Sequence, residues 1–328
     1  MKIMTIKSNR TGNVYECYPE PVRLDAWGTY YRGRCLNCLE TQWVSILEFG
    51  DTYLLPDYFL KHLEYIFDSY LNHYHLPYPN LVSIIDFFAI DLGFSGNRHN
   101  GERWYLIEEE FVPLSDYIEE AQYYSNKRDL ETLKEVYSSY KGNKIELAKT
   151  IINEVLKELD YMHSCGQIVR YLNPGNIIFL HNGKIKIRGV DRFFAFAWHT
   201  FKGTKPVLSF ADFFPAYCSP EVIMDRNRVD GRADIFSLGM VLFYLIEGHQ
   251  PFGDEGTHYI KYQQINGYLP LTGIKDKRMK SIIRKATQKD PNMRFQSVRE
   301  FIEALEGKDA APSPWHKNIF SFLSRIKF

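Results

Sequence analysis

Charge of a single sign is what this sequence lacks first: 40 Lys and Arg residues balance 40 Asp and Glu in 328 residues. Without a basic surplus the chain has no broad electrostatic footprint for nucleic acid, and no nucleic-acid partner is expected. Long apolar runs are missing too. The longest, from Gly239 to Ile246, is far short of the roughly 18 residues that a membrane span requires. The N-terminal stretch MKIMTIKSNRTG holds no continuous apolar core of the signal-peptide kind. Cysteine is scarce and odd in number, at Cys17, Cys35, Cys38, Cys165 and Cys218. Such usage fits free thiols in a reducing, cytoplasmic setting rather than a disulfide framework. Cys35 and Cys38 make a lone C-x-x-C, and no second pair completes a zinc site. No internal repeat at a solenoid period occurs.

Aromatic residues are plentiful, with 23 Tyr and 23 Phe, in an otherwise ordinary globular balance of 45% apolar and 24% charged residues. The length suits about two domains, or one large domain with two lobes. Periodicity divides the chain into a strand-rich front and a helix-rich back. Short alternating or β-branched stretches fall around Tyr15–Tyr18, Gly28–Arg34, Thr41–Phe49, Leu81–Phe88 and Arg103–Phe111. Apolar residues at helical spacing predict one helix among them, over about Pro56–Asn72, with Pro56 in its first turn. Further on, Leu147, Ile151, Ile152, Val155, Leu156, Leu159 and Met162 form one stripe of a helix over Ile145–Ser164. A hairpin is predicted next, Ile177–Phe179 with Ile185–Ile187, joined through His181-Asn182-Gly183. Helices then run to about Glu306. Residues 121–144 are polar and read as an insertion.

Residues 168–234 carry the strongest pattern. Val169-Arg170-Tyr171-Leu172-Asn173-Pro174-Gly175-Asn176 lies between a long helix and a hairpin, and it resembles the catalytic loop H-R-D-L-x-x-x-N of protein kinases. Tyr217-Cys-Ser-Pro-Glu221 is similar to the A-P-E motif that ends a kinase activation segment. Asp234-Ile-Phe-Ser-Leu-Gly239 resembles the start of the large buried helix of the kinase C-lobe. Asp290-Pro-Asn-Met-Arg294 resembles the late Arg that pairs with the A-P-E Glu. The resemblance spans about residues 14–305. It implies an α+β, two-lobed fold: an N-lobe over 1–112 with a small antiparallel sheet and one helix, and a larger, mainly helical C-lobe over 113–306. Residues 307–328 follow as linker and amphipathic tail.

The same resemblance exposes losses. Phosphoryl transfer by this family rests on positioning and charge neutralisation by particular groups. In Val44-Ser45-Ile46-Leu47, Leu47 stands where V-A-I-K has its Lys. Tyr171 replaces the catalytic Asp, and Gly189, in Gly189-Val190-Asp191, replaces the metal-binding Asp of D-F-G. Of the Gly-rich loop only Gly28 remains. The positions that the fold uses structurally are kept, at Arg170, Asn176, Glu221, Asp234 and Arg294. The implied function is that of a pseudokinase, a scaffold or allosteric partner with no cofactor. One alternative is an atypical ATP-dependent kinase or other nucleotide transferase, with Asn176 and Asp191 on Mg²⁺ and Arg188 on phosphate. The other is a nucleotide-binding switch without catalysis.

Two further expectations follow from the family's geometry. Arg188 precedes the metal-ligand position and Glu108 falls at the gatekeeper, so an Arg188–Glu108 ion pair would fill the adenine pocket with protein. Glu108 pointing to solvent, within the run Glu108-Glu109-Glu110, is the bland alternative. Glu109 adjoins it as a nucleotide-side candidate. Phe193, Phe194, Phe196, Trp198, Phe201, Phe210, Phe213 and Phe214 crowd the activation segment; some suit packing back onto the C-lobe and the remainder a protein partner. The tail Trp315–Phe328, with Lys317, Arg325 and Lys327, suits a partner groove, an anionic membrane surface or its own C-lobe.

Overall fold

The computed structural model describes residues 3–24, 28–37, 42–50, 60, 84–93, 101–119, 131, 133–135, 137–140, 142–164, 166, 168–170, 172–180, 183–188, 215–224, 229–253 and 255–307. The first half builds one antiparallel sheet from β1 (Met4–Lys7), β2 (Val14–Leu24), β3 (Gly28–Cys35), β4 (Gln42–Phe49), β5 (Ile84–Asp91) and β6 (Glu102–Glu109), in the order β1-β2-β3-β4-β6-β5. Its strands alternate as the sequence does. One face packs Tyr15, Cys17, Val44, Ile46, Tyr105 and Ile107 into a core. The opposite face carries Tyr30, Leu47 and Leu106 abreast, with Ser45 and Glu108 abreast one step along. Edge strand β1 was not expected from sequence. Its loop is tied down by Thr11 and Tyr15, whose hydroxyls donate to the buried Asp86 carboxylate at 2.5 and 3.0 Å.

After β7 (Val112–Pro113) come α1 (Leu114–Glu119), α2 (Lys144–Ser164) and the hairpin of β8 (Ile177–Phe179) and β9 (Ile185–Ile187). Then follow α3 (Pro220–Ile223), α4 (Arg232–Glu247), α5 (Gly256–Asn266), α6 (Lys277–Ala286) and α7 (Val298–Glu306). Helix α2 buries the stripe read from sequence, Ile151, Ile152, Val155, Leu156, Leu159 and Met162 among it. Helix α4 is buried on every side from Ala233 to Leu245, as a helix apolar all round must be. It forms the centre of the second half, with α2 and α6 against it. This is the α+β, two-lobed arrangement expected: a sheet lobe and a helical lobe. The helix expected over Pro56–Asn72 lies outside the described residues, save Leu60, which is helical and buried.

One expectation needs correction. Cys35 is disulfide-bonded, whereas Cys17 and Cys218 are free and buried. An odd total of cysteines excludes complete pairing, not a single bridge, so the count never justified free thiols throughout. Among the described residues no helix is long and apolar enough to cross a membrane.

Candidate functional site

Strand β9 leaves the hairpin with Arg188 at its end. Hydrogen bonding of the Arg188 amide to the Asn176 carbonyl, at 2.7 Å, fixes that exit. The guanidinium then meets Glu108 on β6. Arg188 Nε lies 3.2 and 3.1 Å from Glu108 Oε1 and Oε2, and Nη2 donates to Oε2 at 2.6 Å. Both side chains are almost wholly buried, at 2% and 1% exposure. The planar fork of Arg matches a carboxylate with two donors, which suits it to such a dry site better than Lys. Tyr30 and Phe111 enclose the cation, their ring centres 5.0 and 5.1 Å from its central carbon. Aromatic faces at this range attract a desolvated cation. The solvent-pointing alternative for Glu108 does not hold.

The neighbouring acids are paired as well. Lys186 on β9 reaches Glu109 at 2.9 Å, and Arg32 on β3 pairs with Glu110 while lying 4.0 Å over the Trp43 ring. Each member of the Glu108-Glu109-Glu110 run thus has its own cation, and two of those cations come from β9 and the residue that follows it. Leu47 is fully buried between Tyr30 and Leu106, an aliphatic side chain on the face that carries Glu108. Gly28 has a steric reason to be Gly. A Cβ there would lie 2.1 Å from the Glu48 carbonyl and 2.9 Å from the Phe49 Cα, so the approach of β4 demands it.

Asn176 is buried, and its Oδ1 accepts from the Asn173 amide at 2.9 Å. Asn173 Oδ1 in turn accepts from the Gly175 amide at 2.8 Å. Arg170 sits at φ 70°, a left-handed conformation unusual for a residue with a side chain. Asp234 holds that turn: its carboxylate accepts from the Val169 and Arg170 amides at 2.9 and 2.6 Å, and His163 Nε2 lies 2.8 Å away. Arg294 grips Glu221 through two hydrogen bonds of 2.6 and 2.8 Å, both side chains buried. Tyr171, Gly189 and Asp191, the aromatics of 193–214, and the tail 315–328 lie outside the described residues. Among the described residues no group of three His, Cys, Asp or Glu side chains could hold a metal ion.

This arrangement, a sheet lobe followed by a catalytic-type loop pinned by Asp234 and a Glu221–Arg294 latch, agrees with a family model. The model of the protein kinase domain matches residues 70–306. The chain belongs to the protein kinase family. Among curated relatives, a probable serine/threonine-protein kinase of Streptomyces coelicolor, SCO3848, is 29% identical over 54% of this chain and 27% of its own length. Serine/threonine-protein kinase PknL of Mycobacterium tuberculosis is 26% identical over 54% of this chain and 47% of its own. CBL-interacting protein kinase 12 of rice is 29% identical over 48% of this chain and 29% of its own. The chain therefore spans less than half the length of these relatives.

Within this kinase fold, sequence reasoning brought Arg188 to Glu108 but missed what surrounds them. Tyr30 occupies the Val position of G-x-G-x-x-G-x-V, a signal that was there to read. Lys186 and Arg32 had no local signal, because their carboxylate partners lie 77 and 78 residues away.

Proposed function

We propose that this kinase-family chain is a pseudokinase: it performs no ordinary phosphotransfer and acts as a scaffold or allosteric partner. The observation that carries the reading is the buried Arg188–Glu108 pair between Tyr30 and Phe111. These groups fill the back of the cleft, where a kinase would admit adenine. The described residues of this region offer little to ATP with Mg²⁺. Leu47 offers no charge to phosphate, and Asn176 Oδ1 already accepts from the Asn173 amide. An atypical transferase would need Arg188 for phosphate, yet its guanidinium already holds Glu108. The Lys186–Glu109 and Arg188–Glu108 pairs also tie β9 to β6, which favours a fixed cleft over one that opens and closes. Such a body suits a scaffold, with the aromatic-rich activation segment or the tail as the partner-facing elements.

The test is thermal unfolding of the chain with ATP, with and without Mg²⁺, beside an EDTA control. A ligand at about 100 times its Kd stabilises by about 2.7 kcal/mol, a rise of roughly 4 °C at this size. The expected result is no shift up to millimolar ATP. A Mg²⁺-dependent rise would overturn the reading in favour of a transferase. A rise without Mg²⁺ would favour the nucleotide-binding switch.

A further inference from the structure

Between α4, α6 and the segment after α5 lies a cavity of about 320 Å³. Its charged lining is entirely cationic: Lys280, Arg284 and Lys289, with no carboxylate. Lys280 and Arg284 stand four residues apart on α6, on one face, where like charges repel. Of the other cations of this helix, Arg278 donates to the Ala304 carbonyl at 2.6 Å and Lys285 lies near Glu300 at 3.9 Å, while Lys277 is exposed at its first position and lines no part of the cavity. Among the described residues Lys280 and Arg284 have no such side-chain partner, and both line the cavity. Lys289 adds to the field from deeper down, where its Nζ donates to the Gln263 and Gln264 carbonyls at 3.2 and 2.6 Å.

The cavity is not merely an ion trap. Leu269 and Leu271 supply apolar lining, and Tyr268 at its edge is 81% exposed. Helix α5, which leads into it, leaves Tyr262 63% exposed. Exposed aromatics beside a cationic groove have the composition of a protein interface rather than a site for a free anion.

We propose that this groove docks an acidic segment of a partner protein, its carboxylates against Lys280 and Arg284 and an apolar side chain against Leu269 and Leu271. The groove shares no lining residue with the Arg188–Glu108 plug, so its test is independent of whether the cleft admits ATP.

The test uses the full chain and a fluorescein-labelled peptide rich in Asp and Glu with one Leu and one Tyr, read by fluorescence anisotropy at low and at physiological salt. A counterpart with Asn and Gln is the neutral control. The acidic peptide should bind, more weakly as salt rises, and the neutral one should not. K280E/R284E should weaken binding about tenfold or more, the signature of about 1.4 kcal/mol. K275E/K277E makes the same change of charge at two exposed lysines outside the groove and should leave binding intact. Should K280E/R284E lower the unfolding midpoint, the milder K280Q/R284Q replaces it, with a smaller loss expected. Equal losses in both charge-reversed variants would reduce the effect to net charge and overturn the proposal. So would an absence of peptide binding, or complete competition by inorganic phosphate at matched ionic strength, which would mark a small-anion site.

Discussion

Arg188 and Glu108 are each costly to bury alone, so neither can be removed without stranding the other. Breaking a buried pair from one side costs about 3–5 kcal/mol, whereas replacing both partners with apolar residues of similar volume is often neutral or stabilising. Arg188→Ala and Glu108→Ala should therefore each lower stability by about 3 kcal/mol or more. Glu108→Leu with Arg188→Leu should recover most of the loss, as read from urea unfolding midpoints. Additive losses in the double variant would mean that the pair is not coupled. The pair was legible in the sequence because both positions are fixed by motifs: Glu108 by the strand entering the hinge, Arg188 by its place before Gly189. The clamp of Tyr30 and Phe111 was not. Aromatic contact with a cation depends on how β3 and the segment after β6 converge, which no local spacing encodes.

Among elements, the catalytic-type loop illustrates a backbone shape imposed from outside. Arg170 lies at φ 70°, and a residue in that region costs of order 1–3 kcal/mol unless its surroundings fix it. Asp234, at the start of the fully buried helix α4, supplies that constraint through the Val169 and Arg170 amides. Asp234→Ala should leave the buried Val169 amide unsatisfied at about 1–3 kcal/mol and the half-buried Arg170 amide at less. Hydrogen exchange at Val169 and Arg170 should accelerate well beyond that in the core of α2. Unchanged protection at these two amides would show that the loop holds itself. Periodicity found most elements, because α2 and the hairpin β8–β9 have unambiguous apolar spacing and the longer strands alternate. It missed β1, which has four residues and buries only Ile6. So short a strand owes its place to pairing with β2, a non-local cause.

At the scale of the whole molecule, the cost of building a tightly packed aromatic interior becomes visible as a dependence on pH. Burial, then the nearby Glu48, pushes the Cys17 thiol up to about 12. Burial, with Tyr117, Glu154 and Tyr140 adding, pushes Tyr137 up to about 12. Tyr15 and Tyr105 are raised further, by burial first and by Asp86 and Glu48 respectively. In the unfolded chain a thiol ionises near about 8.5 and a phenol near about 10. Above those values the unfolded chain holds fewer protons than the folded one, so stability falls as pH rises. Lys289 works the other way. Burial, then Arg294, lowers it to about 8, against about 10.4 when unfolded, so its contribution to stability grows between those two values. Tyr31 is raised as well, by burial first, so among the described residues one amine stands against a thiol and four phenols, which sets the net sign. The urea midpoint should change little between pH 8 and 9, where Lys289 and Cys17 oppose each other, and should fall steadily above about pH 10. Cys17→Ala should reduce the part of that fall that begins near the thiol's ordinary range. A midpoint that holds level to pH 11 would show that these phenols are not protected by the fold.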